Sequence, residues 1–428
     1  TLSNGMKVIV KEDHRSPVVV SMVWYKAGSM DESGGNTGVA HVLEHMMFKG
    51  TKAVPAGRFS RIIAEAGGRD NAFTGKDYTA YFQQLHKSKL PLALKLEADR
   101  MQNLILTKEE FAKEINVVME ERRWRTEDQP HALVYEQLMA AAFQSHPYHH
   151  PVIGWMDDLT NMQVADARAW YDRWYAPNNA TLVVVGDVDA KEVFALAQKY
   201  FGDIKRESLP ARKPQKEPTQ RGMKTVTVKA PAELPYLMMA WHVPVLRDME
   251  KDWEPYALDV LTGVLDGSEA ARLNQSLVRE QQLASSVGVG YDAAARGPGT
   301  FLIDVTPVAG KTAEQLEAAI REELKKIITE GITEEELTRV KAQVVADEVF
   351  RRDSMFYQAM QIGQLETAGL PYDSMDKIVE KLKQVTAEQV QNAAKKYLIE
   401  DSLTVATLDP QPLAEKKAAP PAGARHGQ

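Results

Sequence analysis

Residues 41–50 read HVLEHMMFKG, and within them stands the pattern His-x-x-Glu-His. On a helix, His41 and His45 are four positions apart and lie one above the other on a single face. Two imidazoles at that spacing suit one zinc ion, and Glu44 sits beside His45, close enough to act on a water at the metal. The flanks agree with a helix. Asn36 and Thr37 are residue types that cap helix starts, and Val39, Ala40, Val42, Leu43, Met46, Met47 and Phe48 run almost all the way round it. A helix apolar on nearly every side is a buried one. Two histidines and a carboxylate there need a partner, and a metal ion is such a partner.

The glutamate precedes the second histidine, which is the inverted zincin order. A catalytic zinc takes three protein ligands and keeps one position open, so a third ligand must come from elsewhere in the chain. Residues 108–125, KEEFAKEINVVMEERRWR, read as a helix with Phe111, Ile115, Val118 and Arg122 on one face. Glu114 and Glu121 both flank that face, two turns apart, while Glu120 points toward solvent. Two turns rise roughly 10 Å, too far for both to touch one ion. The reading assigns Glu121 as the ligand and Glu114 as the group that fixes a ligand histidine. On spacing alone, both serve equally well as ordinary surface carboxylates of a charged helix.

His41, Glu44 and His45, followed by Glu121 76 residues after His45, resemble the zinc site of the pitrilysin and mitochondrial processing peptidase family. In that family the third ligand is a glutamate at about this distance, and a second important glutamate precedes it by seven residues, as Glu114 does here. GGRDNAFTGKDYTAYF, residues 67–82, is similar to the family's segment between the ligands. There an Asn-Ala pair on an edge strand holds the substrate backbone, which implies a substrate-binding role for Asn71 and Ala72. His146-Pro147-Tyr148 and the following Pro151 to Gly154 also look like a family turn. The resemblance runs from TLSNGMKVIV at the start to SLTVATLDP near the end.

The chain has 428 residues, too many for one core, and suggests at least two domains. No apolar run is long enough to span a membrane. A net charge of -7 argues against a general nucleic-acid binder and is compatible with basic peptide substrates. With no cysteine, neither a disulfide framework nor thiol catalysis is available. No targeting peptide is visible, and the chain opens inside what reads as a first strand, so the expectation is that any leader has been removed or lies outside this sequence.

Residues 205–222, KRESLPARKPQKEPTQRG, are charged, proline-rich and nearly free of large apolar residues, which marks a linker. Before it, a helix, a Pro-Asn-Asn break and the strand ATLVVVGDV follow one another. Residues 386–410 repeat that plan: Tyr175 and Tyr397 are 222 apart, and so are Asp187 and Asp409. The expected organisation is a zinc-binding domain over 1–204, a second homologous domain over 223–412 and a disordered, low-complexity tail over 413–428. Strands such as MKVIV and VVVSMVWYKAG open the first half, TVTVKA and YLMMAWHVPV the second, and helices follow. The fold class is α+β: mostly antiparallel sheets covered by helices. The resemblance implies two such domains facing each other as a clamshell, with a peptide adding to a sheet edge as an extra strand.

By the same resemblance, the chain is a zinc metallopeptidase with one Zn2+ held by His41, His45 and Glu121, and with Glu44 moving the proton. Self-sufficient relatives supply an Arg and a Tyr from the second domain. Here LVREQQLASSVGVGY, residues 277–291, keeps Arg279 and Glu280, but Ser285 or Ser286 stands in the tyrosine's place and Tyr291 lies further along. That departure implies a heterodimer in which a homologous, non-zinc subunit provides the missing donors. The alternative is a non-catalytic core subunit of a larger complex, a role that accompanies broken zinc ligands. The cluster His146, His149 and His150 sits in a Pro-flanked loop, a poor ligand frame, and reads as surface or packing residues. A periplasmic location is the first choice, a mitochondrial matrix the second.

Overall fold

The computed structural model describes residues 1–413; the expected tail lies, from residue 414 on, outside the described residues. Among the described residues, ten strands form two five-stranded sheets. β1 (Lys7–Glu12), β2 (Val18–Tyr25), β3 (Arg69–Thr74), β4 (Thr79–His86) and β5 (Ala180–Gly186) make the first, in the order β1-β5-β2-β4-β3. β6 (Lys224–Pro231), β7 (Tyr236–Val243), β8 (Ala284–Gly290), β9 (Gly299–Pro307) and β10 (Leu403–Gln411) make the second, in the order β6-β10-β7-β9-β8. The two orders are the same order repeated. In each sheet one pair is parallel, β1 with β5 and β6 with β10, and the rest are antiparallel. The chain is a two-domain α+β fold.

The alternation of side chains along a strand explains how each sheet is buried on both faces. In β2, Val19, Val23 and Tyr25 join the core built with the helices of the first half. Val20, Met22 and Trp24 point the other way, onto Met355, Ala359 and Ile362 of the helix Met355–Ala368, which comes from the second half of the chain. The second sheet mirrors this arrangement. Leu237, Met239 and Trp241 of β7 face their own helices. Tyr236, Met238 and Ala240 face Val134 and Leu138 of the helix Pro130–Ala142, from the first half. Each half lends one helix to the other's sheet.

The lent helices press closely. A Cβ at Gly363 would stand 1.9 Å from Cε2 of Trp24, so this position of the helix admits only glycine as packed. Trp24 is 1 % exposed, and burying an aromatic ring of that size contributes on the order of 4 kcal/mol. Residues 205–221 form no helix or strand, yet they are pinned. Glu217 accepts hydrogen bonds from the backbone N–H of Gln144, Ser145 and His146 at 2.6, 3.0 and 2.8 Å. Arg212 lies over the Trp174 ring, 4.4 Å from its centroid, and pairs with Asp31 at 3.0 Å.

Candidate metal centre

The His-x-x-Glu-His segment forms the helix Val39–Met46, packed against the core of the first half. Its start is not capped by Asn36 or Thr37 as the local sequence suggests. Gly38 occupies the cap position with φ +88°, and a Cβ there would fall 2.5 Å from the Ile153 carbonyl oxygen. The orphan N–H groups of the first turn go to Glu32, whose two oxygens accept from Gly38 N at 2.9 Å and Ala40 N at 2.8 Å. Burial pushes the Glu32 carboxyl well above the usual range, and those two N–H groups partly offset it. The Thr37 hydroxyl instead donates to Asp158 at 2.6 Å and accepts from Trp155 N at 2.9 Å, tying the helix to the 151–161 turn.

The second ligand-bearing helix is Lys108–Arg122. It ends three residues earlier than its composition suggests, passing into a π-helical turn, Arg123–Glu127. Such turns insert a residue and re-aim the side chains beyond the insertion. Here Arg125 reaches back to Glu121 Oε1 at 2.8 Å. Glu121 Oε2 faces the histidines, 3.3 Å from His45 Nε2 and 3.8 Å from His41 Nε2. The ligand atoms of His41, His45 and Glu121 all lie within 4.8 Å of one another. Four-coordinate zinc, with bonds of about 2.0–2.1 Å, spaces its ligands about 3.4 Å apart.

The donor chemistry of this cluster suits a cation. Burial, then the neighbouring His45 and Arg125, depress the His41 pKa to about 3, so its imidazole is neutral at ordinary pH. A neutral imidazole keeps one ring nitrogen as a lone-pair donor, so His41, His45 and the Glu121 carboxylate can turn two nitrogens and one oxygen toward a common point. Two nitrogens and one oxygen are also a donor set that zinc accepts. The residues fit a zinc ion.

Around the three ligands stand charged groups at hydrogen-bond range. Glu114 Oε2 is 3.3 Å from His45 Nδ1, and its other oxygen pairs with Lys49 Nζ at 2.6 Å. A carboxylate accepting from Nδ1–H holds the tautomer that leaves Nε2 free for a metal. Among the described residues His41 Nδ1 has no such partner. Glu44 stands beside the ligands without joining them; its Oε2 accepts from the Thr74 hydroxyl at 2.5 Å. Burial raises the Glu44 pKa, with the Thr74 bond and His45 pulling down and Glu121 pushing up.

Asn71 and Ala72 lie on β3, which among the described residues is an edge of its sheet, paired through Phe82 and Tyr81 of β4. Thr74 ends the same strand. Arg279 is exposed and paired with Glu269. Ser285 donates to the Thr306 carbonyl at 3.2 Å and the Tyr291 hydroxyl to the Pro244 carbonyl at 2.6 Å, so both are committed within the second half. His146 and His150 are buried, and burial depresses each to about pKa 4. A cavity of about 990 Å3 lies under the linker and is lined by none of the three ligands.

Several residues of the site escape a sequence reading. Lys49 and Arg125 stand four positions beyond His45 and Glu121, a helical spacing that flags them once the ligands are chosen. Glu32 and Thr74 meet the site only through the fold, and no local pattern marks them.

A repeated α+β unit whose first copy carries two histidines and a glutamate in zinc-binding geometry defines a class: two-domain peptidase folds of the inverted-motif type. Residues 7–155 match insulinase (peptidase family M16), and residues 161–344 match the peptidase M16 inactive domain. The chain is 35% identical over 359 residues to zinc protease PqqE of Helicobacter pylori, covering 83% of this chain and 80% of that one. It is 31% identical over 426 residues to an uncharacterized zinc protease of Mycobacterium leprae, covering 98% and 93%. Its fold matches the crystal structure of a protease from Helicobacter pylori with a TM-score of 0.91 at 31% identity, covering 96% and 98%. It also matches the periplasmic protease PqqL of Escherichia coli with a TM-score of 0.81 at 21% identity, covering 99% of this chain and 48% of that one. The chain belongs to peptidase family M16, the family of insulinase and pitrilysin.

Proposed function

We propose that this chain is a zinc metalloendopeptidase that cleaves short or unfolded peptides bound as an added strand along β3. The observation that carries the reading is the convergence of His41, His45 and Glu121 with Glu44 alongside. His41, His45 and Glu121 would hold the ion. Zinc bound in such a set supplies Lewis acidity, lowering the pKa of water and polarising a carbonyl. Glu44 takes the proton of the attacking water and delivers it to the leaving amine nitrogen. Thr74 holds Oε2 of that carboxylate and leaves Oε1 for the proton. Asn71 and Ala72 lie on the β3 edge that the peptide joins, where the Ala72 N–H, now held by Asn71 Oδ1 at 2.9 Å, turns to the peptide backbone; such pairing gives affinity with little demand on sequence. Glu114 fixes His45.

A homologous subunit without the zinc motif completes the enzyme as a heterodimer. Support comes from Ser285 and Tyr291, whose hydroxyls donate to carbonyls within the second half, so neither is turned to a developing oxyanion. This chain matches 48% of PqqL, a length that accommodates two such units in one polypeptide. The periplasm is the proposed compartment, by analogy with PqqL, a periplasmic protease. A purely structural role is less well supported, because all three zinc ligands are present and converge.

The test is metal analysis of the purified chain together with hydrolysis of an unfolded reporter peptide, alone and with a homologous motif-free chain. The expectation is one zinc per chain, loss of hydrolysis in Glu44→Gln with zinc retained, and a rise in turnover on adding the second chain. Full hydrolysis by Glu44→Gln would overturn the assignment, and full activity of the isolated chain would overturn the heterodimer.

A further inference from the structure

The Thr74 hydroxyl that holds Glu44 is itself held, and part of what holds it comes from the far half of the chain. β3 and β4 are joined by a tight turn, residues 75–78, closed by Gly75 N donating to the Tyr78 carbonyl at 2.8 Å. Thr74 pairs with Thr79 at its mouth. One side of the turn is fixed within the first half. Ser29 N and Met30 N donate to the carbonyls of Gly75 and Lys76 at 3.1 and 2.9 Å. Gly28 lies so close that a Cβ there would stand 2.5 Å from the Gly75 oxygen.

The other side is clamped from the second half, by the loop between β8 and β9. Arg296 N donates to Asp77 Oδ2 at 2.8 Å, and its guanidinium Nη1 to the Asp77 carbonyl at 2.7 Å. The same guanidinium meets both oxygens of Asp31, at 2.9 and 3.2 Å. Asp77 Oδ1 also accepts from the Tyr148 hydroxyl, which in turn accepts from Gly297 N at 2.8 Å. The side chains of Arg296 and Asp31 are only 8 % and 5 % exposed, and Asp77 and Tyr148 are buried. A guanidinium with fixed planar donors, desolvated against the Asp31 carboxylate and the Asp77 carbonyl, is a rigid joint. Arg296 and Asp77 are 219 residues apart in sequence, while Asp77 and Thr74 are three apart on one closed turn.

We propose that Arg296 is a positioning residue for the peptidase reaction: it seats the 75–78 turn against the second half and so sets the Thr74 hydroxyl on Glu44. The second half thereby acts on the proton-transfer group without placing any side chain at the metal cluster. Chemistry then depends on the two halves being docked. This rests on the reading of Glu44 as the proton carrier, and the experiment separates the two.

The experiment compares steady-state hydrolysis of the unfolded reporter peptide by the full chain, with its second subunit if turnover needs it. Variants are Arg296→Gln, Arg296→Lys, Thr74→Val, Thr74→Ser and the double variant Arg296→Gln/Thr74→Val, with zinc content measured for each. The expected result is a fall in kcat of about tenfold or more in Arg296→Gln, with KM within about threefold and one zinc per chain retained. Arg296→Lys recovers part of the loss. Thr74→Val falls similarly while Thr74→Ser, which keeps the hydroxyl, does not. The double variant is no slower than the worse single one, as coupled groups require. Arg212→Gln, which removes the linker's ion pair to the same Asp31 without touching the turn, keeps its kcat within about twofold. An unchanged kcat in Arg296→Gln, or losses that multiply in the double variant, would overturn the proposal. Should Arg296→Gln fail to fold, Asp77→Ala opens the same clamp from the turn's side by removing the carboxylate that accepts from Arg296 N and the Tyr148 hydroxyl, and wild-type kcat there overturns it equally. Normal turnover in Glu44→Gln sinks the base assignment itself, whereas an inactive Glu44→Gln beside a normal Arg296→Gln sinks only the role of Arg296.

Discussion

Replacing Glu114 by glutamine removes one charge and nothing of the side chain's size, yet it should weaken the metal centre strongly. The carboxylate serves two donors at once, His45 Nδ1 at 3.3 Å and Lys49 Nζ at 2.6 Å. A glutamine has one acceptor oxygen. If that oxygen turns to His45, the NH2 group faces the Lys49 ammonium; if it turns to Lys49, the NH2 group faces the Nδ1–H and disfavours the tautomer that frees Nε2. Losing a partner of this kind typically costs 10- to 100-fold in metal affinity, or about 1.4–2.7 kcal/mol. The assay is a zinc competition titration against a chromophoric chelator at fixed pH and ionic strength. Glu120→Gln is the control, because Glu120 is exposed on the same helix and pairs only with Arg123 among the described residues. The expected outcome is a zinc Kd raised 10- to 100-fold in Glu114→Gln, against about twofold or less in Glu120→Gln, as for an exposed ion pair. A Glu114→Gln protein within about threefold of wild type, or a control that loses as much, would refute the idea that Glu114 orients His45.

Three further outcomes test the frame around the site. Gly363→Ala gains about 1 kcal/mol of helix propensity, but its Cβ meets the Trp24 ring at 1.9 Å, so a net loss of about 2 kcal/mol is expected; a raised urea midpoint would show that the 355–368 helix does not pack on the first sheet as described. Glu32→Ala strands the N–H groups of Gly38 and Ala40 and should lower stability by about 2–4 kcal/mol in thermal melts. Glu32→Gln should lose less, since burial already favours the neutral carboxyl. Acid should destabilise the chain early. Unfolded histidines take up protons near pH 6.5, whereas buried His146 and His150 do so only near pH 4. The unfolded state thus binds more protons between those values, and stability falls as pH drops from 6.5 to 4, by on the order of 2 kcal/mol per histidine. A melting temperature flat across that range, with His146→Phe and His150→Phe behaving like wild type, would contradict it.

Much of the metal centre is written in short-range pattern. His41 and His45 share a helix face because four residues make about one turn, and Glu114 and Glu121 share another because seven make two. The strands announce themselves in β-branched runs such as VVVSMVWY, and residues 205–222 by their lack of apolar side chains. Two local expectations fail for a physical reason. Asn36 and Thr37 have the right chemistry for a cap, but Glu32 takes the N–H groups and Asp158 takes Thr37. Arg279 carries the right charge, but its helical turn leaves it on the surface with Glu269.

Periodicity tells that a face is buried and never against what. The apolar faces of the helices 130–142 and 355–368 are visible in sequence, yet each lies on the sheet of the opposite half. The meetings of Glu32 with the His41 helix, of Thr74 with Glu44, and of Arg296 with Asp77 likewise depend on the path of the whole chain. By itself the sequence marked the candidate metal-holding side chains, the elements that carry them and, in Glu114, a candidate to fix a ligand histidine. Only the tertiary structure decided that Glu32 and Thr74 join the site and that Arg296 meets the 75–78 turn, because contacts between residues tens to hundreds of positions apart are chosen by packing and leave no local signature.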